Sequence, residues 1–422
     1  MRSLILLLAL AAPARADRVY TLADARRLAL LNDPRVLSAE QDKIIASERE
    51  REALYLFFPE VGVQASATKF NAQYPFSLSN EFRNILLFPD FPNPYGARTD
   101  TLYSGRTYAT MSLFEGGRTI NTLRLAKAAT KQADSALEAA KLDTVASVTE
   151  VFYRLILAQE RMSAASEYEA AVEQVLTSPR IDPWERVEAE ARLSKARSQA
   201  SEAQHALSLA RLTFLKSINV ELDTEFSVTG DLQTKAVQLD VDKAILRAME
   251  LRPELQSETY RAQMDAISVN LAAARRIPTV YVSGDYEVTN DGFPLDRTNW
   301  DATVGVKIPF SYDYFTQLRQ KRAEQRQGQL KRAELQDRVR LEVRQAYENL
   351  SYWQKEWPAR EERYRKIQAL YDAAAKQGGS AVGRVRALSG VLELKLDYLT
   401  AVTEQILAVA RLERAIGGKL SP

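Results

Sequence analysis

The stretch Val280-Tyr281-Val282-Ser283-Gly284-Asp285-Tyr286-Glu287-Val288 alternates with a period of two. Val280, Val282, Gly284, Tyr286 and Val288 take one side, and Tyr281, Ser283, Asp285 and Glu287 the other. That is the pattern of a β-strand with two unlike faces. Three more stretches share it. In Pro59–Phe70, Val61, Val63, Ala65 and Ala67 oppose Gly62, Gln64, Ser66 and Thr68; in Arg106–Phe114, Ala109, Met111 and Leu113 oppose Tyr108, Thr110 and Ser112. In the fourth, Trp300, Ala302, Val304, Val306 and Ile308 oppose Asp301, Thr303, Gly305 and Lys307. Each is about nine to eleven residues long, the length a tilted strand needs to cross a bilayer.

An antiparallel sheet resting one face on a soluble core makes the same pattern. Four strands close no barrel alone, and lipid tolerates no open strand edge. Three chains would supply twelve strands, an even number in the usual range. Asp285, Glu287, Asp301 and Lys307 would then line a wet lumen, with Trp300 and Tyr286 at a membrane interface.

Working outward, the chain repeats itself. Shifted by 219 residues, Ala25 falls on Ala244, Ala29 on Ala248, Pro34 on Pro253, Ala53 on Ala272 and Pro59 on Pro278. Later the offset is 200, where Leu207, Ala210, Arg211 and Leu212 meet Leu407, Ala410, Arg411 and Leu412. Each half reads short helix, strand, loop, strand, long helix, turn, shorter helix.

The first helix is expected to begin at Thr21, with Asp24 placed as in a capping box, to be kinked or interrupted at Pro34, and to end near Phe57. A long helix over 118–176 would extend about 90 Å. The turn Ser178-Pro179-Arg180-Ile181-Asp182-Pro183 leads into a helix to about Ser217. The second half predicts helices near 240–276, 315–376 and 384–416, with a break at Gln377-Gly378-Gly379. So long a helix must lie against others, and two seams of mostly three- and four-residue spacing support this: Val187, Ala191, Ala196, Ala200 and onward to Phe214, and Leu392, Leu396, Leu399, Thr403, Ile406 and Ala410. Ala126, Ala129, Ala133, Ala136 and Ala140 form a stripe expected in the core.

The ends and the composition bound the compartment. Met1-Arg2, the apolar run Leu4–Ala12 and Ala14-Arg15-Ala16 read as a signal peptide over 1–16, cleaved before Asp17. No cysteine is present to carry a lipid anchor or a disulfide. No stretch of 18 uninterrupted apolar residues suggests a membrane helix. Without Arg2 and Arg15 the chain has 55 basic and 55 acidic side chains, a balance that gives nucleic acid no footing.

Catalysis finds no foothold either. His205 is the one histidine and sits on a helix without partners for a metal site, so no cofactor or metal is expected. Gly116-Gly117 lacks the spacing and lysine of a phosphate loop, and Glu188 and Glu190 point to different helix faces.

Asn32-Asp33-Pro34, Phe58-Pro59-Glu60-Val61, Phe114-Glu115-Gly116-Gly117 and Ala189-Glu190-Ala191-Arg192-Leu193 resemble the signature stretches of the TolC family of outer-membrane efflux and export channels. Leu251-Arg252-Pro253-Glu254-Leu255 and Ile277-Pro278-Thr279-Val280 are similar to that family's second half. The resemblance implies a mostly α chain with a small β part, assembled as a homotrimer. A twelve-stranded outer-membrane barrel shared by three chains would stand on a periplasmic α-helical barrel. Strand pairs with extracellular loops would occupy 59–114 and 278–310; periplasmic helices 17–58, 115–218, 240–277 and 311–418; an equatorial segment 219–239; and a tail 419–422. The longer first loop, 71–105, would form a lid or a packed loop.

The resemblance also implies a periplasmic tip at 177–185 and 377–386 that docks a periplasmic adaptor (membrane fusion) protein, with an inner-membrane pump as driver. Glu185 matches the family's acidic tip position, whereas the second tip has Gly383 where an acid is usual. The expected aperture residues are Asp182 and Glu185 pairing with Arg384 or Arg386. Two functions stay open: a passive export duct of a tripartite efflux or type I secretion system, or a soluble periplasmic coiled-coil scaffold or adaptor.

Overall fold

The computed structural model describes residues 18–69, 101–177, 181–290, 292–378 and 380–419. The signal-peptide assignment, most of loop 71–105, the turn residues 178–180 and Gly379 lie outside the described residues.

In chain order the elements are β1 (Arg18–Tyr20), α1 (Leu22–Asn32), α2 (Pro34–Tyr55), β2 (Glu60–Lys69), β3 (Thr101–Phe114), α3 (Arg118–Leu176) and α4 (Pro183–Ser217), then β4 (Phe226–Val228), α5 (Val241–Leu251), α6 (Pro253–Ala274), β5 (Thr279–Asn290), β6 (Arg297–Lys307), α7 (Tyr314–Gln377) and α8 (Ala381–Ile416). The duplication is carried through: α1-α2-β2-β3-α3-α4 is matched by α5-α6-β5-β6-α7-α8.

Local chemistry sets the boundaries. Thr21 caps α1 through a full capping box, its Oγ1 accepting from the Asp24 amide at 3.2 Å. The prolines at 34 and 253 have no amide to give a preceding turn, so α1 stops at Asn32 and α5 at Leu251. The single helix expected over 240–276 is therefore two. Pro183 starts α4, where a missing N–H costs nothing, behind Asp182 as N-cap. Pro358, by contrast, lies inside the continuous helix α7. Gly116 (φ 63°) turns β3 into α3 beside Ile277, where a Cβ would come within 2.6 Å of that side chain.

The chain divides into two compact units. One takes the described residues up to Ile44, Gln132–Thr259 and those from Leu330 onward. It holds three apolar cores. Ala25, Ala29, Phe152, Leu155, Phe214 and Phe226 belong to the first, and Ala244, Ala248, Val343, Leu350 and Leu412 to the second. The matched alanines 25 and 244, and 29 and 248, are all fully buried, so the repeat in sequence is a repeat in packing. The third core joins α3, α4 and α8 through Tyr168, Val172, Ala189, Val382 and Leu392. Burying a Phe or Leu contributes about 1.5–3 kcal/mol each. Within 219–239 a short strand is present: β4 pairs in parallel with β1, Tyr20 opposite Val228.

Two expected seams need correction. Along 126–140 of α3 the buried positions are Ala128, Ser135 and Leu137; Ala136 is exposed and the rest of the alanine stripe half-buried. On α4, Ala196, Ala200 and Phe214 are buried while Val187 and Ala191 face out. The chain by itself leaves Ala136, Val187 and Ala191 without a covering surface.

The second unit comprises Ile45–Lys131 and Tyr260–Gln329 and contains an antiparallel sheet of order β2-β3-β5-β6. Each half contributes one hairpin, and β3 joins β5 across the halves. β3 begins at Thr101, earlier than the alternation suggested, and a register shift at Leu113 puts Phe114, not Leu113, on the apolar side opposite Val280.

Candidate functional site

The register sorts the sheet's side chains into two faces, because directly opposed residues share a face. One row reads Gly62, Tyr108, Asp285, Asp301 and the next Gln64, Arg106, Glu287, Asn299. The other face reads Val61, Ala109, Gly284, Ala302 and then Val63, Thr107, Tyr286, Trp300. That second face is open: Val63 is 80% exposed, Val304 74% and Trp300 72%.

On the polar face Arg106 reaches Asp285 at 2.6 Å, Ser104 Oγ donates to Glu287 at 2.5 Å, and Thr303 Oγ1 donates to Asp301 at 3.1 Å. Three of the four sequence-chosen lumen residues are thus neighbours. Lys307 is not among them; it sits opposite Thr279 at the far end of β6. Arg106 was missed as a member, although the alternation places it on the same side as Tyr108.

At the turn between α3 and α4, facing the start of α8, the expected pairs do not form within the chain. The Asp182 carboxylate accepts from the amides of Trp184 (2.9 Å) and Glu185 (3.4 Å), because it is the helix cap. Glu185 accepts from Ser380 Oγ at 2.6 Å, and that hydroxyl in turn accepts from the Gly383 amide at 3.3 Å. Arg386 pairs with Glu188, which also holds Arg192 at 2.8 Å. Arg384 makes no ion pair with a described residue. Hydrogen bonds from Arg386 and then Arg192 hold the Glu188 carboxyl below its ordinary pKa. The spacing of Glu188 to Glu190 along the helix carries no signal for this partner, which lies 198 positions away.

The helix breaks carry a third constellation that the sequence reading did not single out. Asp33, nearly buried, accepts from Arg35 at 2.8 Å and from Thr144 Oγ1 at 2.8 Å. The bond from Arg35, with help from Thr144, keeps the Asp33 pKa below its usual value despite burial. In the second half the buried Arg252 meets Glu254 at 3.2 Å and Glu342 at 2.5 Å, and Arg414 meets Asp143 at 2.7 Å and Glu254 at 2.9 Å. Burial pushes Glu254 up most, but the Arg252 bond, a backbone amide and the charges of Arg252 and Arg414 bring it net below normal. Shifted by 219 residues, Asp33 falls on Arg252 and Arg35 on Glu254. The bridge is retained with its polarity reversed.

His205 is exposed on α4. Among the described residues no group of acidic or histidine side chains is placed to hold a metal, and no helix is long and apolar enough to cross a membrane.

Residues 25–219 match the family described as Outer membrane efflux protein. The first half of the chain thus resembles the outer-membrane efflux proteins. The chain's fold is that of solved channels. The Campylobacter jejuni CmeC outer membrane channel superposes with a TM-score of 0.78 at 13% identity, covering 94% of this chain and 85% of that one. The Neisseria gonorrhoeae MtrE outer membrane channel gives 0.75 at 17%, covering 94% and 89%. The Vibrio cholerae outer membrane protein VceC gives 0.73 at 16%, covering 94% and 96%. No curated protein sequence matches. The likeness of fold to these channels runs over nearly the whole chain.

Proposed function

We propose that the chain is an outer-membrane efflux channel subunit of the TolC family, three copies of which close one twelve-stranded barrel and form a passive duct through the outer membrane with a large periplasmic portion. The observation that carries this reading is the sheet itself. It ends in two unpaired strands, β2 and β6, and presents an exposed face of Val63, Trp300 and Val304 behind a charged one. In lipid those edges must be paired, and β2 of one copy against β6 of the next satisfies both at once. The same exposed apolar face argues against a soluble scaffold, which would have to cover it.

On this reading 59–114 and 278–310 are the membrane part, with Asp285, Glu287, Asp301 and Lys307 on the lumen. Segments 17–58, 115–218, 240–277 and 311–418 form the periplasmic helical barrel, and 219–239 is its equatorial segment. The α3–α4 turn and the start of α8 are the periplasmic aperture. There Glu185–Ser380 and Glu188–Arg386 tie one helical hairpin to the other, Asp182 shapes the turn, and Arg384 is left to a neighbouring copy. A periplasmic adaptor protein would dock at this tip, and an inner-membrane pump would supply the energy.

Cysteines introduced at Val63 on β2 and Val304 on β6, cross-linked in purified protein and paired with planar-bilayer recording, test the duct. A covalent trimer with stepwise conductance is expected. A monomer that stays in solution without detergent, or a trimer that conducts no ions, overturns it.

A further inference from the structure

The helices start at the end of the sheet where Glu60 pairs with Thr110 and Thr279 with Lys307, and the charge there is lopsided. Residues 118–131 carry four basic side chains and no acid, 275–276 two more, and 319–329 four against Glu324, outnumbering Glu60, Glu115 and Asp313 beside the strands and the mixed Glu48, Arg49, Glu50, Arg51 and Glu52 at the end of α2. Arg118 lies in the first turn of α3 and Arg319 in the second turn of α7, where the helix dipole disfavours cations, so helix stability does not account for them. Arg124, Arg275, Arg276, Arg319 and Arg322 are exposed.

Within this region a groove of about 760 Å³ is lined by Glu115, Arg118, Thr122, Arg275, Gln317 and Lys321, among others. Arg118 has Glu115 at 3.5 Å, yet its Nε is buried without a hydrogen-bond partner. Arg275 donates to Gln317, Lys321 meets Glu324 at 2.7 Å, and Arg276 lies over the Tyr314 ring at 5.5 Å. Phe58, Phe114, Phe310, Tyr312 and Phe315 are exposed at the same sheet end. Aromatic side chains favour the depth where acyl chain meets headgroup, and guanidinium groups bind phosphate with paired donors.

We propose that this groove seats the phosphate of an anionic phospholipid from the periplasm-facing leaflet, and that the surrounding basic collar gathers such lipids about the channel. The proposal rests on the membrane placement of the strands. The aromatic residues set the depth of the chain in the bilayer, and Arg118, Arg275 and Lys321 receive the headgroup at that depth.

The test reconstitutes the full-length protein into nanodiscs of phosphatidylcholine, of phosphatidylglycerol or of an equal mixture, and measures the lipid retained through mild delipidation. Phosphatidylglycerol should be retained in preference from the mixture. Arg275→Gln with Lys321→Gln should cut that preference about fivefold per cation removed, while Arg275→Lys keeps most of it. Arg124→Gln with Arg322→Gln, on exposed helix surface, provides a second variant that leaves the groove intact and should lower the preference of the outer lipids alone. Equal retention of both lipids by the unaltered protein overturns the proposal. So does undiminished preference in the Arg275–Lys321 variant, or complete displacement of the lipid by inorganic phosphate. Failure to enter discs of any composition instead overturns the membrane reading beneath it.

Discussion

Tyr108 lies across Gly62 on the polar face of the sheet, its ring filling the space a side chain at 62 would need; a Cβ there would stand 2.5 Å from the ring. In the second half Tyr281 lies across Gly305 in the same way. Shifted by 219 residues, Gly62 falls on Tyr281, so the two hairpins keep the ring-on-glycine pair with its members exchanged between strands. An aromatic ring laid over a strand glycine shields backbone that would otherwise be bare, and it does so from either strand.

The exchange predicts its own mutational test. Gly62→Val should swing the Tyr108 ring aside and destabilise the hairpin by about 1–3 kcal/mol, the usual cost of overpacking. The double change Gly62→Tyr with Tyr108→Gly, which copies the second half's arrangement, should recover most of it. Heat-induced loss of the folded band on electrophoresis measures both.

Arg252→Ala is expected to be among the most damaging single changes. It leaves Glu254 and Glu342 without the buried cation between them, a loss of about 3 kcal/mol, the low end for a broken buried pair because Glu342 keeps 40% of its side-chain exposure. Asp33→Arg with Arg35→Glu should be tolerated better than Asp33→Arg alone, since it reproduces the order found in the second half. Thermal melting in detergent separates these outcomes.

At the tip, Arg386→Glu should raise channel open probability, because it breaks the tie to Glu188 within each copy. The Glu188–Arg386 pair is largely exposed, so each copy contributes little and the shift in opening is a modest one summed over three copies. Restoring the pair in reverse, Glu188→Arg with Arg386→Glu, should close the channel again. Single-channel recording decides.

The same pair sets a pH window. The Glu188 pKa is lowered in the folded chain, so its contribution is whole above the ordinary value of 4.5 and fades as pH falls below that. Cleavage of the tip by a protease active across the range should be flat from neutral pH to about 5 and should rise only in stronger acid. A rise beginning near pH 6 would point to some other group.

Much of this molecule was legible from residue order. Period-two alternation located all four membrane-length strands, and a 219-residue shift exposed the duplication before any contact was known. Both signals survive because they follow from backbone geometry: side chains alternate along every strand, and a repeated helix must bury the same alanines. Proline and capping residues marked the helix ends for the same local reason, Pro253 being the one misjudged.

What the chain order did not contain was partnership. Nothing in the sequence says that Arg106 meets Asp285, that Glu188 and not Glu185 takes Arg386, or that Arg414 draws Asp143 and Glu254 together. Those pairs span up to 271 positions along the chain, and only the register of β3 on β5 and the packing of α8 bring them within reach. Local stereochemistry determines where strands and helices begin and end. Which charges meet is decided when distant elements pack, because an ion pair depends on separation in space and not on separation in sequence.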